Sequence, residues 1–123
     1  MNSPKFKFED LKVYQKALDF VDDVYVITKR FPKEEIYGLS SQYKRASVSI
    51  PLNIAEGAGD TDAQFNRYLQ MAWDSLKECV VCSTIAQRQG FITIEEDKEA
   101  RIKLSELSKM ITSLQRYLKK DNK

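Results

Sequence analysis

The sequence predicts an all-α protein, an up-down antiparallel four-helix bundle, and three observations carry that prediction. Apolar residues recur with a period near 3.6 residues in four separate stretches. Two stretches open on a capping-box pattern, Thr61-Asp62-Ala63-Gln64 and Thr93-Ile94-Glu95-Glu96, in which Thr and Gln or Glu satisfy orphan N–H groups reciprocally. The 123 residues include only four glycines and three prolines, so turns are few and elements long. A chain of this length buries one modest core, and a single domain over 1–123 is expected.

The first helix is expected over about 8–30, with Tyr14, Ala17, Leu18, Val21, Val24, Tyr25 and Thr28 on one face. Val13, Phe20, Ile27 and Phe31 widen that face beyond the roughly 100° that one packing surface needs, so the helix touches more than one neighbour. Pro32 closes it, and Lys33 to Ile36 reads as a short turn. The second helix spans 38–57, stopped by Gly57-Ala58-Gly59 and kinked at Pro51, which removes one backbone hydrogen bond. The third, 62–89, stops at Gly90, and the fourth runs over 94–119. Their short connection makes an antiparallel hairpin. At a rise of about 1.5 Å per residue the longer helices are rods near 40 Å, natural for a bundle. Lys119 to Lys123 reads as a fraying polar tail.

Composition removes several function classes. No histidine is present, which excludes Ser-His-Asp, Cys-His and His-based zinc chemistry. Two cysteines cannot form a disulfide framework, no apolar run reaches a membrane span, and Met1 to Asp10 lacks a signal-peptide core. A cytoplasmic protein with no cofactor, no metal and no membrane partner is the expectation. The net charge of +2 is too small to argue nucleic-acid binding, so the distribution of charge has to decide.

Three constellations stand out. Cys79 and Cys82 form a C-x-x-C pair, but deep inside a helix on its apolar side, where they read as small buried hydrophobes. Gln42, Arg45, Ser49, Asn53 and Glu56 fall on one line of the second helix, between an apolar stripe of Leu39, Tyr43, Ala46, Ile50 and Ile54 and another of Val48, Leu52 and Ala55. An enclosed polar line reads as a hydrogen-bonded network at a helix or subunit interface, and alternatively as a site with Glu56 as base and Arg45 as anion clamp. Lys98, Arg101, Lys109, Arg116, Lys119 and Lys120 project within about a quarter of the last helix, while Ala100, Leu104, Leu107, Ile111, Leu114 and Leu118 face away toward the core. Five basic residues in Lys109 to Lys123 oppose Asp121 alone, so most of the positive excess lies there. That stripe reads as phosphate contacts, or as a solvated face.

The segments Phe8-Glu9-Asp10-Leu11-Lys12-Val13-Tyr14-Gln15-Lys16-Ala17, Tyr37-Gly38-Leu39, Ser49-Ile50-Pro51 and above all Asn53-Ile54-Ala55-Glu56-Gly57 resemble the 23S rRNA intervening-sequence proteins, also called the four helix bundle protein family. Phe65, Arg67, Tyr68, Leu69, Ala72, Ser75, Leu76 and Glu78 continue the resemblance. It implies a subunit that assembles into a ring-like homopentamer, related to the basic, nucleic-acid-binding accessory variability determinant of diversity-generating retroelements. It implies no catalytic activity. Trp73-Asp74 departs from the family, setting a large ring and a charge beside a contact the family makes tightly. The expected function is a non-enzymatic homo-oligomeric scaffold binding structured RNA. The alternatives are an oligomeric protein-interaction platform with no nucleic-acid contact and, third, an enzyme built on Glu56 and Arg45.

Overall fold

The computed structural model describes residues 3–120. Four helices carry the fold: α1 (Lys12–Thr28), α2 (Leu39–Gly57), α3 (Asp62–Arg88) and α4 (Ile94–Lys120), with 3₁₀ turns at Lys7–Asp10 and Lys33–Glu35. Each helix packs on the next and α4 closes back on α1, while among the described residues the backbones of the diagonal pairs make no close approach, which is the up-down arrangement. Among the described residues there is no strand, and no helix is long and apolar enough to cross a membrane.

Three of the four expected spans hold to within a residue, and the first starts late. The Glu9 carboxylate accepts the Phe6 N–H at 2.9 Å, which rounds Lys7–Asp10 into its own turn. Leu11 then adopts extended backbone, φ −68° and ψ 124°, so α1 begins afresh at Lys12. The expected turn after Pro32 is the second 3₁₀ segment. α2 continues unbroken through Pro51. The polar tail is helical as far as Lys120, and 121–123 lie outside the described residues.

The caps follow from local chemistry. At Thr93 both halves of the capping box form: the Glu96 N–H donates to Thr93 Oγ1 at 3.0 Å and the Thr93 N–H to Glu96 Oε1 at 2.9 Å. At Thr61 only one half forms, with the Gln64 N–H donating to Thr61 Oγ1 at 3.2 Å, because Asp60 takes the Thr61 N–H at 2.7 Å. Gly90 ends the α3 turn at φ +77°, and the Phe91 N–H reaches back to the Ala86 carbonyl at 2.8 Å. This closure needs the left-handed residue that glycine supplies without penalty.

The core runs down the bundle axis through Phe20 and Val24 of α1, Tyr43, Ile50 and Ile54 of α2, Leu69 and Cys79 of α3, and Leu104, Leu107 and Ile111 of α4, all fully buried. Each large aliphatic or aromatic side chain so buried contributes about 1.5–3 kcal/mol. On α1 the buried line is Val13, Ala17, Phe20, Val24 and Thr28. The other half of its wide apolar face stays partly open among the described residues: Leu18 and Tyr25 are 40% and 44% exposed. The neighbouring outward strip of α2 is also open, with Leu52 63% exposed, and Lys44 Nζ over the Tyr25 ring at 5.4 Å joins the two strips.

Candidate nucleic-acid interface

The amphipathic period of α4 fixes the candidate interface, because burying Leu104, Leu107, Ile111 and Leu118 turns the basic line outward. Lys98, Lys109, Arg116, Lys119 and Lys120 are all exposed. Among the described residues none of them has a carboxylate within ion-pair distance. Arg101 is different. Its Nε donates to Asp97 Oδ2 at 2.9 Å, and its guanidinium reaches Thr84 of α3, so it belongs to the α3–α4 joint. The i, i+4 spacing of Asp97 and Arg101 was the signal in the sequence for that commitment.

Asp97 is the hub of this joint. The Ser83 hydroxyl donates to its Oδ1 at 2.6 Å. Burial pulls the Asp97 carboxyl up, but the Ser83 hydroxyl and the Arg101 guanidinium outweigh it and hold the carboxyl below its usual range. Desolvation pushes the Tyr43 phenol, beside Ser83 and Cys79, well above its ordinary value. Burial likewise raises the Cys79 thiol strongly and the Cys82 thiol to about 11. Both cysteines are buried and free, the small buried hydrophobes expected.

The polar line of α2 splits. Its middle lies in the α2–α3 joint, where the Ser49 and Ser75 hydroxyls are 2.8 Å apart and the Asn53 amide donates to Ser49 Oγ at 3.0 Å. Gln42, Arg45 and Glu56 are exposed. Arg45 and Glu56 sit on one rod about 16 Å apart along its axis, too far to act on one reacting atom. Trp73 turns toward α4, lining a groove with Leu104 and Ser105 under Lys77, so Ser75 keeps its tight contact with α2.

One feature lay beyond sequence reasoning. Across the cleft from α4, the first turn of α1 brings Lys12 opposite Lys109, over a groove of about 560 Å³ also lined by Leu11, Val13, Met110, Ser113, Leu114 and Tyr117. Nothing local in the sequence relates Lys12 to Lys109; only the closure of the bundle does.

A family sequence model described as 23S rRNA-intervening sequence protein matches residues 9–113. The chain belongs to that family. The 23S rRNA-intervening sequence protein match covers α1, α2, α3 and α4 as far as Ser113, so Arg116, Tyr117, Lys119 and Lys120 lie beyond it. The chain is also similar to a crystal structure of a protein with unknown function from the S23 ribosomal protein family of Bacteroides thetaiotaomicron. Identity is 24%, the match covers 83% of this chain and 96% of that one, and the TM-score is 0.76. At that identity the likeness speaks for the four-helix fold. No curated protein matches the chain. Neither the 23S rRNA-intervening sequence family description nor that of the solved structure names a catalytic activity.

Proposed function

We propose that this member of the 23S rRNA-intervening sequence protein family is a non-enzymatic, homo-oligomeric scaffold that binds structured RNA along α4. The observation that carries the reading is the aligned, exposed line of Lys98, Lys109, Arg116, Lys119 and Lys120, none of which has a carboxylate partner among the described residues. Elsewhere Lys16 faces Glu106 and Lys103 faces Asp23, while scattered cations such as Lys33, Arg67 and Arg88 also have no carboxylate partner among the described residues, so it is the alignment of five on one helix face that sets the α4 line apart. A line of free cations suits the phosphate backbone, which is bound by charge and released by salt. Arg101, held by Asp97, is the weakest of the predicted contacts.

The open strips around Leu18, Tyr25 and Leu52 support the oligomeric part, since apolar surface of this kind is covered by a further copy of the chain. In the pentameric ring that the family resemblance suggests, with α2 bent at Pro51 to seat its neighbour, five stripes add to one strongly positive surface. A soluble cytoplasmic setting accords with this role.

Titrating structured RNA at increasing salt tests the proposal. About four phosphate contacts per protomer give a log–log slope of about −3 to −4. The K109E/R116E/K120E variant should lose at least about tenfold in affinity. Binding retained by that variant would count against the stripe. The exposed apolar strips also fit a second reading, an interaction platform that never touches nucleic acid. An oligomer by light scattering that ignores heparin at low salt favours that platform.

A further inference from the structure

We infer that the lower half of the α1–α4 cleft takes an unpaired nucleotide, its base laid against Tyr117 and the apolar floor and its flanking phosphates on Lys12 and Lys109. This rests on the nucleic-acid reading above and narrows it from backbone charge to single-stranded nucleic acid.

The cleft changes character along its length. In the upper part three ion pairs bridge it, Lys16 with Glu106 at 3.1 Å, Lys103 with Asp23, and Arg30 with Glu96, and the walls also carry Asp19 and Glu99, which have no cation partner among the described residues. Below Glu106 the matching stops. The groove there holds two charged residues, Lys12 and Lys109, and neither has a carboxylate partner among the described residues. Val13, Met110 and Leu114 line the trough between them. Tyr117 stands at its edge, 62% exposed, with its ring in no aromatic pair among the described residues.

Two unmatched cations on opposite walls of an apolar trough call for an occupant that is anionic and apolar at once. A small inorganic anion would leave the trough and the ring uncovered. A duplex offers phosphates but keeps its bases in the stack. A single strand offers both a phosphate to each wall and a planar face to the ring. Stacking of one base on an aromatic side chain is worth about 5- to 150-fold in affinity. The helical repeat extends the track, because Arg116 and Lys120 project on the same side of α4 as Lys109, the former about 10 Å further along the rod.

The test is fluorescence anisotropy of a short labelled oligouridylate, the same strand made abasic, and a duplex of equal length. Each is titrated with wild-type protein, Tyr117→Leu and Tyr117→Phe. The exposed position of Tyr117 keeps both variants folded, which far-UV circular dichroism checks. We expect the intact strand to bind about tenfold more tightly than the abasic strand. Tyr117→Leu should remove that advantage, Tyr117→Phe should keep it, and neither should change duplex binding. Equal binding of intact and abasic strands, or no effect of Tyr117→Leu on the intact strand, overturns the inference while leaving the phosphate stripe in place. Failure of every nucleic acid to bind at low salt takes down the stripe as well. Displacement of the intact strand by oligoglutamate at lower concentration than by unlabelled oligouridylate also overturns the inference and assigns the groove to acidic protein segments.

Discussion

Where α2 meets α3, a Cβ added at Gly57 would fall 2.8 Å from Tyr68 Cβ, and the Ser49 and Ser75 hydroxyls lie 2.8 Å apart. Where α1 meets α4, the helices stand off around cavities of about 390 Å³ and 240 Å³, and long charged side chains span the gap. Small residues at the first joint let the backbones approach until dispersion acts along the whole contact. At the second, ion pairs between half-exposed groups hold a cleft that packing does not fill, and such pairs are worth about 0–1 kcal/mol each. The difference separates a spine that carries stability from a cleft whose walls can differentiate chemically. Ion pairs and acidic side chains line its upper part, and two unmatched lysines its lower.

The most direct way to break this contrast is to thicken the spine. Gly57→Ala sets a methyl against Phe65 and Tyr68, and overpacking of this kind costs about 1–3 kcal/mol. Urea unfolding should show the loss, and an unchanged midpoint would mean that α2 and α3 part without cost. Asp97 sharpens the contrast at a third joint, α3–α4, where the ion pair is half-buried and built into a network. Asp97→Asn should cost about 1 kcal/mol, since hydrogen bonds to a charged group are worth more than neutral ones.

Its pH dependence has a definite sign. The carboxyl titrates lower in the folded protein than its ordinary value of about 3.9, so its contribution is present above that value and lost as pH falls through the lower folded one. Unfolding midpoints measured below about pH 4 should therefore fall less steeply for Asp97→Asn than for wild type. Glu96, held low by the Thr93 N–H and by Arg30, adds to the acid sensitivity of both proteins. The smallest effect is expected at the cleft itself. Lys16→Met removes the pair with Glu106 and should shift stability by less than about 1 kcal/mol, with added salt erasing the difference. A larger, salt-resistant loss would make the cleft as structural as the spine.

The same division explains what could be read from the chain before its structure. Thr93 with Glu96, Gly90 as a stop, and the buried line of α4 depend on neighbours a few residues away, so periodicity and cap chemistry locate them. The 3₁₀ start at Lys7 was less legible, because a Glu9 side chain folding back to Phe6 competes with helix on nearly equal terms. The wide face of α1 correctly signalled more apolar surface than one contact needs, yet it could not say that Leu18 and Tyr25 would be the side left open. Of the site, the basic line of α4 was legible from its repeat. The opposite wall was not, since Lys12 meets Lys109 only after three other joints have formed.

The cleft also joins the two helices most distant along the chain. α2–α3 and α3–α4 are formed by sequential partners across short connections, so little chain entropy is lost in bringing them together. Docking α1 against α4 closes the longest loop in the molecule and is repaid by the least packing. The last seam to be sewn is therefore the first to give, and the fold concentrates its breathing on the wall where it keeps its unmatched charge.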